Sequence, residues 1–375
     1  MTEGSRGRRP PRKPSDAALL LADLEEVIAR TANLPEGGVI LEMIENVLKL
    51  ARDGTSRGDW KVLNQSLKEL RYAFKVFAPY RRVRKVSIFG SARTPEDAPE
   101  YQQARAFANR MTRRGWMVIT GAGSGIMEAA QGGAGRARSF GVNIRLPFEQ
   151  KANTFIARDA KLVHFKYFFT RKLTFLKETD AIALFPGGFG THDEGFEALT
   201  LVQTGKGSLI PIVFIDRPGG SYWREWKGYV EEHLRDRGYI DPDDMNLFHV
   251  TDDLDDAVGI IQGFYRNYHS SRFVNSRLIL RLREPVSDEI LDGLNTRYAS
   301  ILAEGRIERT EVLPEEENEP ETHHLYRVGL WFNRRSAGLL RRMIDELNAP
   351  ATAAPGPALP GPALPGGVPG GGGRT

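Results

Sequence analysis

Apolar residues recur at 3-4 spacing early in this chain and gather into short continuous runs in its middle. Ile40, Met43, Ile44, Val47 and Leu48 describe one amphipathic helix. Trp60, Leu63, Leu67, Leu70, Phe74 and Phe77 describe a second, whose seam suits packing on another helix of the same chain or of a dimer partner. A helix over 15–32, capped by Ser15 or Asp16, completes a helical extension spanning 15–80. From Arg84 the texture changes. Apolar runs at 86–89, 116–120, 142–146, 162–165, 181–185, 210–215 and 248–250 predict strands. Helical stretches at 101–114, 126–138, 170–178, 191–204, 223–237 and 253–268 separate them. This alternation predicts an α/β domain over 84–270, a Rossmann-like doubly wound parallel sheet covered on both faces. Strands at 277–282, 307–312 and 325–332 and helices at 287–302 and 336–347 follow. That order, β-α-β-β-α, predicts a small ferredoxin-like α+β domain over 277–348 without its last strand.

Composition adds exclusions. The 375 residues include no cysteine, so disulfides, thiolate metal sites and a cysteine nucleophile are ruled out. A hydrophobic content of 41% and a charged content of 27% fit a soluble globular protein. No apolar run approaches the ~20 residues of a membrane helix. The basic N-terminus lacks an apolar h-region, so a cytoplasmic location is expected. The net charge of +4 resides in residues 1–14, where five basic side chains face one acid; the remainder is formally neutral. That basic tail reads as a solvated segment rather than a nucleic-acid site. Residues 349–375 repeat Gly-Pro-Ala-Leu-Pro and end in glycines, which reads as a flexible tail.

The chemistry concentrates at 181–197. An apolar strand ends at Pro186, which cannot donate to a ladder. Gly187, Gly188 and Gly190 follow, free to take positive φ and to admit a ligand to the backbone. Thr191 is placed as an N-cap with Glu194 three residues on, in capping-box spacing. Strand, glycine turn and helix start together make an anion site. Glu194 can serve as cap or as catalyst, and Asp193 can complement the dipole. Arg171 and Lys172 open another helix, where cations are unfavourable unless an anion wants them there. The loop Gly121-Ala122-Gly123-Ser124-Gly125 is not G-x-G-x-x-G, which argues against NAD. The 186–191 loop lacks a P-loop Lys-Ser/Thr, and the seven histidines show no zinc spacing. No lysine has a cofactor setting, and no organic or metal cofactor is expected.

These residues resemble the LOG family of cytokinin-activating phosphoribohydrolases, formerly labelled lysine decarboxylases. The family pattern P-G-G-x-G-T-x-x-E stands at Pro186-Gly187-Gly188-Phe189-Gly190-Thr191-His192-Asp193-Glu194, and its R-K pair at Arg171-Lys172. The glycine loop 121–125 with Met127 and Glu128, and the start Phe89-Gly90-Ser91-Ala92, also fit, with one glycine replaced by Ala122. The stretches 127–130, 146–150 and 203–206 are similar to the longer bacterial relatives. The resemblance implies hydrolysis of a nucleoside 5′-monophosphate to free base and ribose 5-phosphate, with Glu194 and Arg171 catalytic. It implies substrate contacts from Gly187, Gly188, Gly190, Thr191, Lys172, Gly90, Ser91, Gly121, Gly123, Gly125, Met127 and Glu128. Asp193, Glu128 or water would protonate the base, and a dimer or higher homo-oligomer is expected. A nucleotide-binding sensor or carrier on the same scaffold is the alternative.

Overall fold

The run Ala181-Ile182-Ala183-Leu184 becomes a strand buried on both sides. Such residues can only be satisfied at the centre of a covered parallel sheet. The structure, a computed structural model, describes residues 36–145 and 152–349, with 26, 29–31 and 34. The tails at 1–14 and 350–375 and the loop 146–151 lie outside the described residues, as does most of the helix expected over 15–32. Two compact units are present, one up to Gln65 and one from Ser66 onward. The first contains α1 (Gly37–Arg52) and the start of α2 (Arg57–Phe77).

Within the second unit the elements are β1 (Lys85–Phe89), α3 (Pro99–Arg113), β2 (Met117–Thr120), α4 (Ile126–Ala134), β3 (Ser139–Ile144), β4 (Leu162–Phe165) and α5 (Phe168–Glu178). Then come β5 (Ala181–Leu184), α6 (Phe189–Gln203), β6 (Ile212–Ile215), α7 (Tyr222–Val230), β7 (Phe248–Thr251) and α8 (Leu254–Phe264). The seven strands are all parallel, in the order β4-β3-β2-β1-β5-β6-β7. Alternate residues of β5 feed opposite cores. Ile182 and Leu184 pack with Phe77, Phe175 and Trp223. Ala181 and Ala183 pack with Phe107 of α3, Ala130 of α4 and Ile261 of α8. The chain runs outward from β1 to β4, then returns to place β5 on the other side of β1. The crevice between the carboxyl ends of β1 and β5 is therefore the switch point at which such sheets take ligands.

The predicted sheet is the observed one, with shifted ends. The helix expected to 138 stops at Ala134, because Gly135 turns the backbone to φ +74. The helix expected to 237 ends at Val230 and passes into a wider turn at Glu231–Arg235. The seam on α2 is only partly internal: Phe77 is buried, whereas Leu67 is 52% and Phe74 38% exposed. Among the described residues no helix is long and apolar enough to cross a membrane.

The C-terminal part is a four-stranded antiparallel sheet in the order β10-β11-β9-β8. Its elements are β8 (Tyr268–Val274), β9 (Arg277–Leu282), α9 (Asp288–Arg297), β10 (Leu302–Arg309), β11 (Tyr326–Phe332) and α10 (Ala337–Leu347). The fourth strand lies at the start, where sequence placed the end of a helix. As an edge strand, β8 is mostly half-buried and polar, so it gives little apolar signal. The acidic loop before β11 is pinned by fully buried Glu316. Arg281 donates to it at 2.8 and 2.5 Å, Arg327 at 2.9 Å and the Leu313 N–H at 3.1 Å.

Burial pushes the Glu316 carboxyl up, but the bonds from Arg327 and Arg281 outweigh this and hold it at about 2, against an ordinary 4.5. A depressed carboxyl stabilises the fold above its unfolded value, and that stabilisation is lost as pH falls through the folded value. The difference corresponds to about 3 kcal/mol. Urea denaturation between pH 5 and pH 2.5 should show the native protein losing stability steeply. Glu316→Gln, which leaves buried Arg327 without a carboxylate and Arg281 with Glu319 alone, should start about 3–5 kcal/mol lower with a shallower slope. Identical slopes would show that this cluster does not control acid stability.

Candidate functional site

At the end of β5, the N–H groups of Gly188, Phe189 and Gly190 donate to no group among the described residues. They are the orphan donors of α6, which begins at Phe189 with Gly188 as its N-cap. The N-cap is therefore not Thr191, and no side chain caps this helix. The expected capping box is absent. Thr191 instead donates its N–H to the Gly188 carbonyl at 3.0 Å. The glycines also differ from expectation, since none of Gly187, Gly188 and Gly190 takes positive φ. Gly187 is needed for close approach: a Cβ there would lie 2.1 Å from Thr191 Oγ1 and 2.9 Å from the Ser91 nitrogen. Added Cβ atoms at Gly188 and Gly190 would meet only open space.

The opposite wall comes from β1. The Ser91 N–H donates to the Pro186 carbonyl at 3.1 Å, and the Ser91 carbonyl accepts from Ile126 at 3.0 Å. Gly90, Ser91 and the start of α4 are thereby tied to the glycine turn. A Cβ on Gly90 would press on Ile126 at 2.7 Å. Between the walls lies a cleft of about 670 Å³, bordered by Gly90, Ser91, Met127, Arg171, Glu194 and the 187–193 turn.

Glu194 lies in this cleft at 8% exposure and accepts no hydrogen bond among the described residues. Its partners are Arg171 Nη1 at 3.8 Å and Lys172 Nζ at 3.9 Å. Burial raises its carboxyl above the ordinary value, and the Arg171 and Lys172 charges offset this only in part. Arg171 is positioned from behind, donating from Nε to the Val142 carbonyl at 3.0 Å. Lys172 ties Asp193 at 2.8 Å and Glu197 at 2.6 Å. The cations at the start of α5 thus face three carboxylates, and the helix start itself has a further one. Buried Glu69 of α2 accepts from the Lys166 N–H at 2.8 Å and from the Thr170 hydroxyl at 2.5 Å.

The structure brings Glu194, Arg171, Gly187, Gly188, Gly190, Thr191, Gly90, Ser91 and Met127 together around the cleft. It places Lys172, Gly121, Gly123, Gly125 and Glu128 behind or beside it. A Cβ on Gly121 would lie 2.7 Å from both Arg171 Nη2 and Met127 Sδ, so this glycine makes room for the arginine. Gly123 accepts from Asn153 at 2.8 Å. Gly125, at φ +63, wedges beneath the Ser91 carbonyl, 2.3 Å from where its Cβ would stand. Ala122 holds φ +61, left-handed backbone that the glycine of the family pattern adopts freely. Glu128 does not border the cleft, and its carboxyl is raised by burial and by the Glu96 charge.

Sequence reasoning missed Arg93, His192 and Tyr222, which also border the cleft. Arg93 takes part in no ion pair among the described residues. The Tyr222 hydroxyl donates to the Gly187 carbonyl, which leaves His192 Nε2–H as donor to the phenol oxygen at 2.7 Å. A trans peptide points its C=O and N–H in opposite directions. Anchoring the Gly187 carbonyl on Tyr222 therefore fixes the opposite aim of the Gly188 N–H. Losing one neutral bond of this kind costs about 1 kcal/mol. Tyr222→Phe should bind inorganic phosphate about fivefold more weakly by calorimetry. Unchanged affinity would show that the turn holds itself.

Residues 125–261 match the family described as possible lysine decarboxylase. Over 176 residues the chain is 29% identical to the cytokinin riboside 5'-monophosphate phosphoribohydrolase of Mycobacterium tuberculosis (strain ATCC 25618 / H37Rv), covering 46% of this chain and 90% of that protein. Among solved structures it is similar to the molybdenum cofactor binding protein of Rippkaea orientalis (16% identity, TM-score 0.36, covering 48% of this chain and 96% of that one). It is also similar to the molybdenum cofactor carrier protein of Chlamydomonas reinhardtii (19% identity, TM-score 0.35, covering 48% and 97%).

Proposed function

With the central domain of this chain belonging to the LOG family, we propose that the protein hydrolyses the N-glycosidic bond of a nucleoside 5′-monophosphate. The observation that carries this reading is Glu194, a buried carboxylate that caps nothing and shares its cleft with the N–H groups of the glycine turn. The free N–H groups of Gly188, Phe189 and Gly190, with the Thr191 hydroxyl, hold the 5′-phosphate at the positive end of α6. Remote phosphate binding then fixes the sugar against Glu194.

The C1′–N bond breaks with its electron pair passing to the base, leaving an oxocarbenium-like sugar. Glu194 stabilises that cation and aligns the water that attacks C1′. Water supplies hydroxide to C1′ and one proton to the base nitrogen, so no further reactant is required. Arg171 orients Glu194 and faces the departing base, but it stays charged and is no proton donor. Asp193 borders the cleft and is held by Lys172, whereas Glu128 does not border it, so Asp193 or water is the nearer proton source. The cluster of five charges — Arg171 and Lys172 against Asp193, Glu194 and Glu197 — sums to −1, and Arg93, which has no ion pair among the described residues and also borders the cleft, supplies a further cation for a phosphate.

Adenosine 5′-monophosphate should be cleaved and adenosine scarcely at all; equal rates on the two would remove the nest from the reaction. Lys172→Met removes a positive charge 3.9 Å from Glu194 and so raises its carboxyl further. The acid limb of kcat/KM should move to higher pH in this variant, and an unmoved limb would mean that Glu194 does not set it.

A further inference from the structure

A second cavity, of about 380 Å³, lies between the two sheets, far along the chain from the cleft just described. Its volume falls in the range of small-molecule sites, about 300–1,000 Å³, which favour such junctions. One wall is the end of α6 and the turn after it, with Val202, Lys206 and Leu209. The other is β8, β9 and the start of α10, with Phe273, Leu278 and Leu340. The floor is apolar: Val202, Leu278 and Leu340 are buried.

The rim carries three cations of unequal status. Arg272 is spent on Glu319 at 2.6 Å and on the Glu315 carbonyl at 3.1 Å. Lys206 and Arg334 take part in no ion pair among the described residues. Arg334 is also held in place. Its backbone sits at φ +60, a left-handed conformation that arginine rarely adopts. Asn333 fixes the turn by accepting from the N–H groups of Arg335 at 2.9 Å and Ser336 at 3.1 Å. The guanidinium rests 4.2 Å from the centre of the Phe273 ring. Strain retained in this way is a mark of ligand clamps.

From this cavity, with an apolar floor and two uncompensated cations at its rim, we infer a binding site for a small organic anion. The ligand has a flat apolar body that enters between Leu209, Leu278 and Leu340. Its anionic head sits between Lys206 and Arg334. An occupant would lie against the far end of the helix whose first turns carry Glu194.

The test titrates the full chain with 1-anilinonaphthalene-8-sulfonate, an apolar anion, and counts saturable sites by calorimetry. The variant Lys206→Glu/Arg334→Glu alters two exposed residues and should lose one site or bind it at least tenfold more weakly. The control Arg81→Glu/Arg82→Glu makes the same change in net charge at exposed positions elsewhere and should keep that site. No saturable site in the native protein would overturn the assignment. So would a site retained in Lys206→Glu/Arg334→Glu, or one lost equally in both variants.

Discussion

The contact between Arg171 and Glu194 is the one on which the site depends. Two buried opposite charges 3.8 Å apart, with no hydrogen bond joining them, form a poor stability device. Burial is costly for both groups, drawing the arginine down and the glutamate up from their ordinary values. The surroundings nevertheless work to keep them there. Val142 holds the arginine from behind, Gly121 gives up its side chain to make room, and Glu69 offsets the positive start of α5. Groups held apart at this cost are set for a ligand that comes between or beside them.

That pair can exist only because of the sheet order. Arg171 reaches the crevice from the start of α5 and Glu194 from the first turns of α6, on either side of β5. The neighbouring β1 contributes Gly90 and Ser91, which lock onto Pro186 and Ile126. A parallel sheet whose order reverses between β1 and β5 leaves room above these ends and nowhere else in the layer. Packing on both faces, with alternate residues of β5 serving separate cores, makes the position of that crevice rigid.

Much of this was legible in the amino-acid sequence because continuous apolar runs, glycine turns and charged residues at helix starts are local signals. The buried strands and the grouping of Arg171 with Glu194 follow from them. What was not legible depended on contacts distant in the chain. The cap at Gly188 rather than Thr191 turns on how the loop meets Ser91, about a hundred residues earlier. The roles of Gly121 and Gly125 as spacers, the place of Glu128 outside the cleft lining, and the Tyr222 anchor are of the same kind. Glu69 gave no signal in the sequence, and strand β8 fell between a helix expected to end at Tyr268 and a strand expected from Arg277, because a polar edge strand has no periodic apolar signature.

The central claim is that Glu194 is retained for chemistry and not for the helix it begins. Glu194→Gln keeps the shape, removes the charge and disturbs no cap, so the melting temperature should stay level or rise slightly. Turnover of adenosine 5′-monophosphate by the same preparation should fall at least about 10²-fold, the scale of losing a positioned acid–base group. A variant that melts lower while releasing base at the native rate would contradict the account.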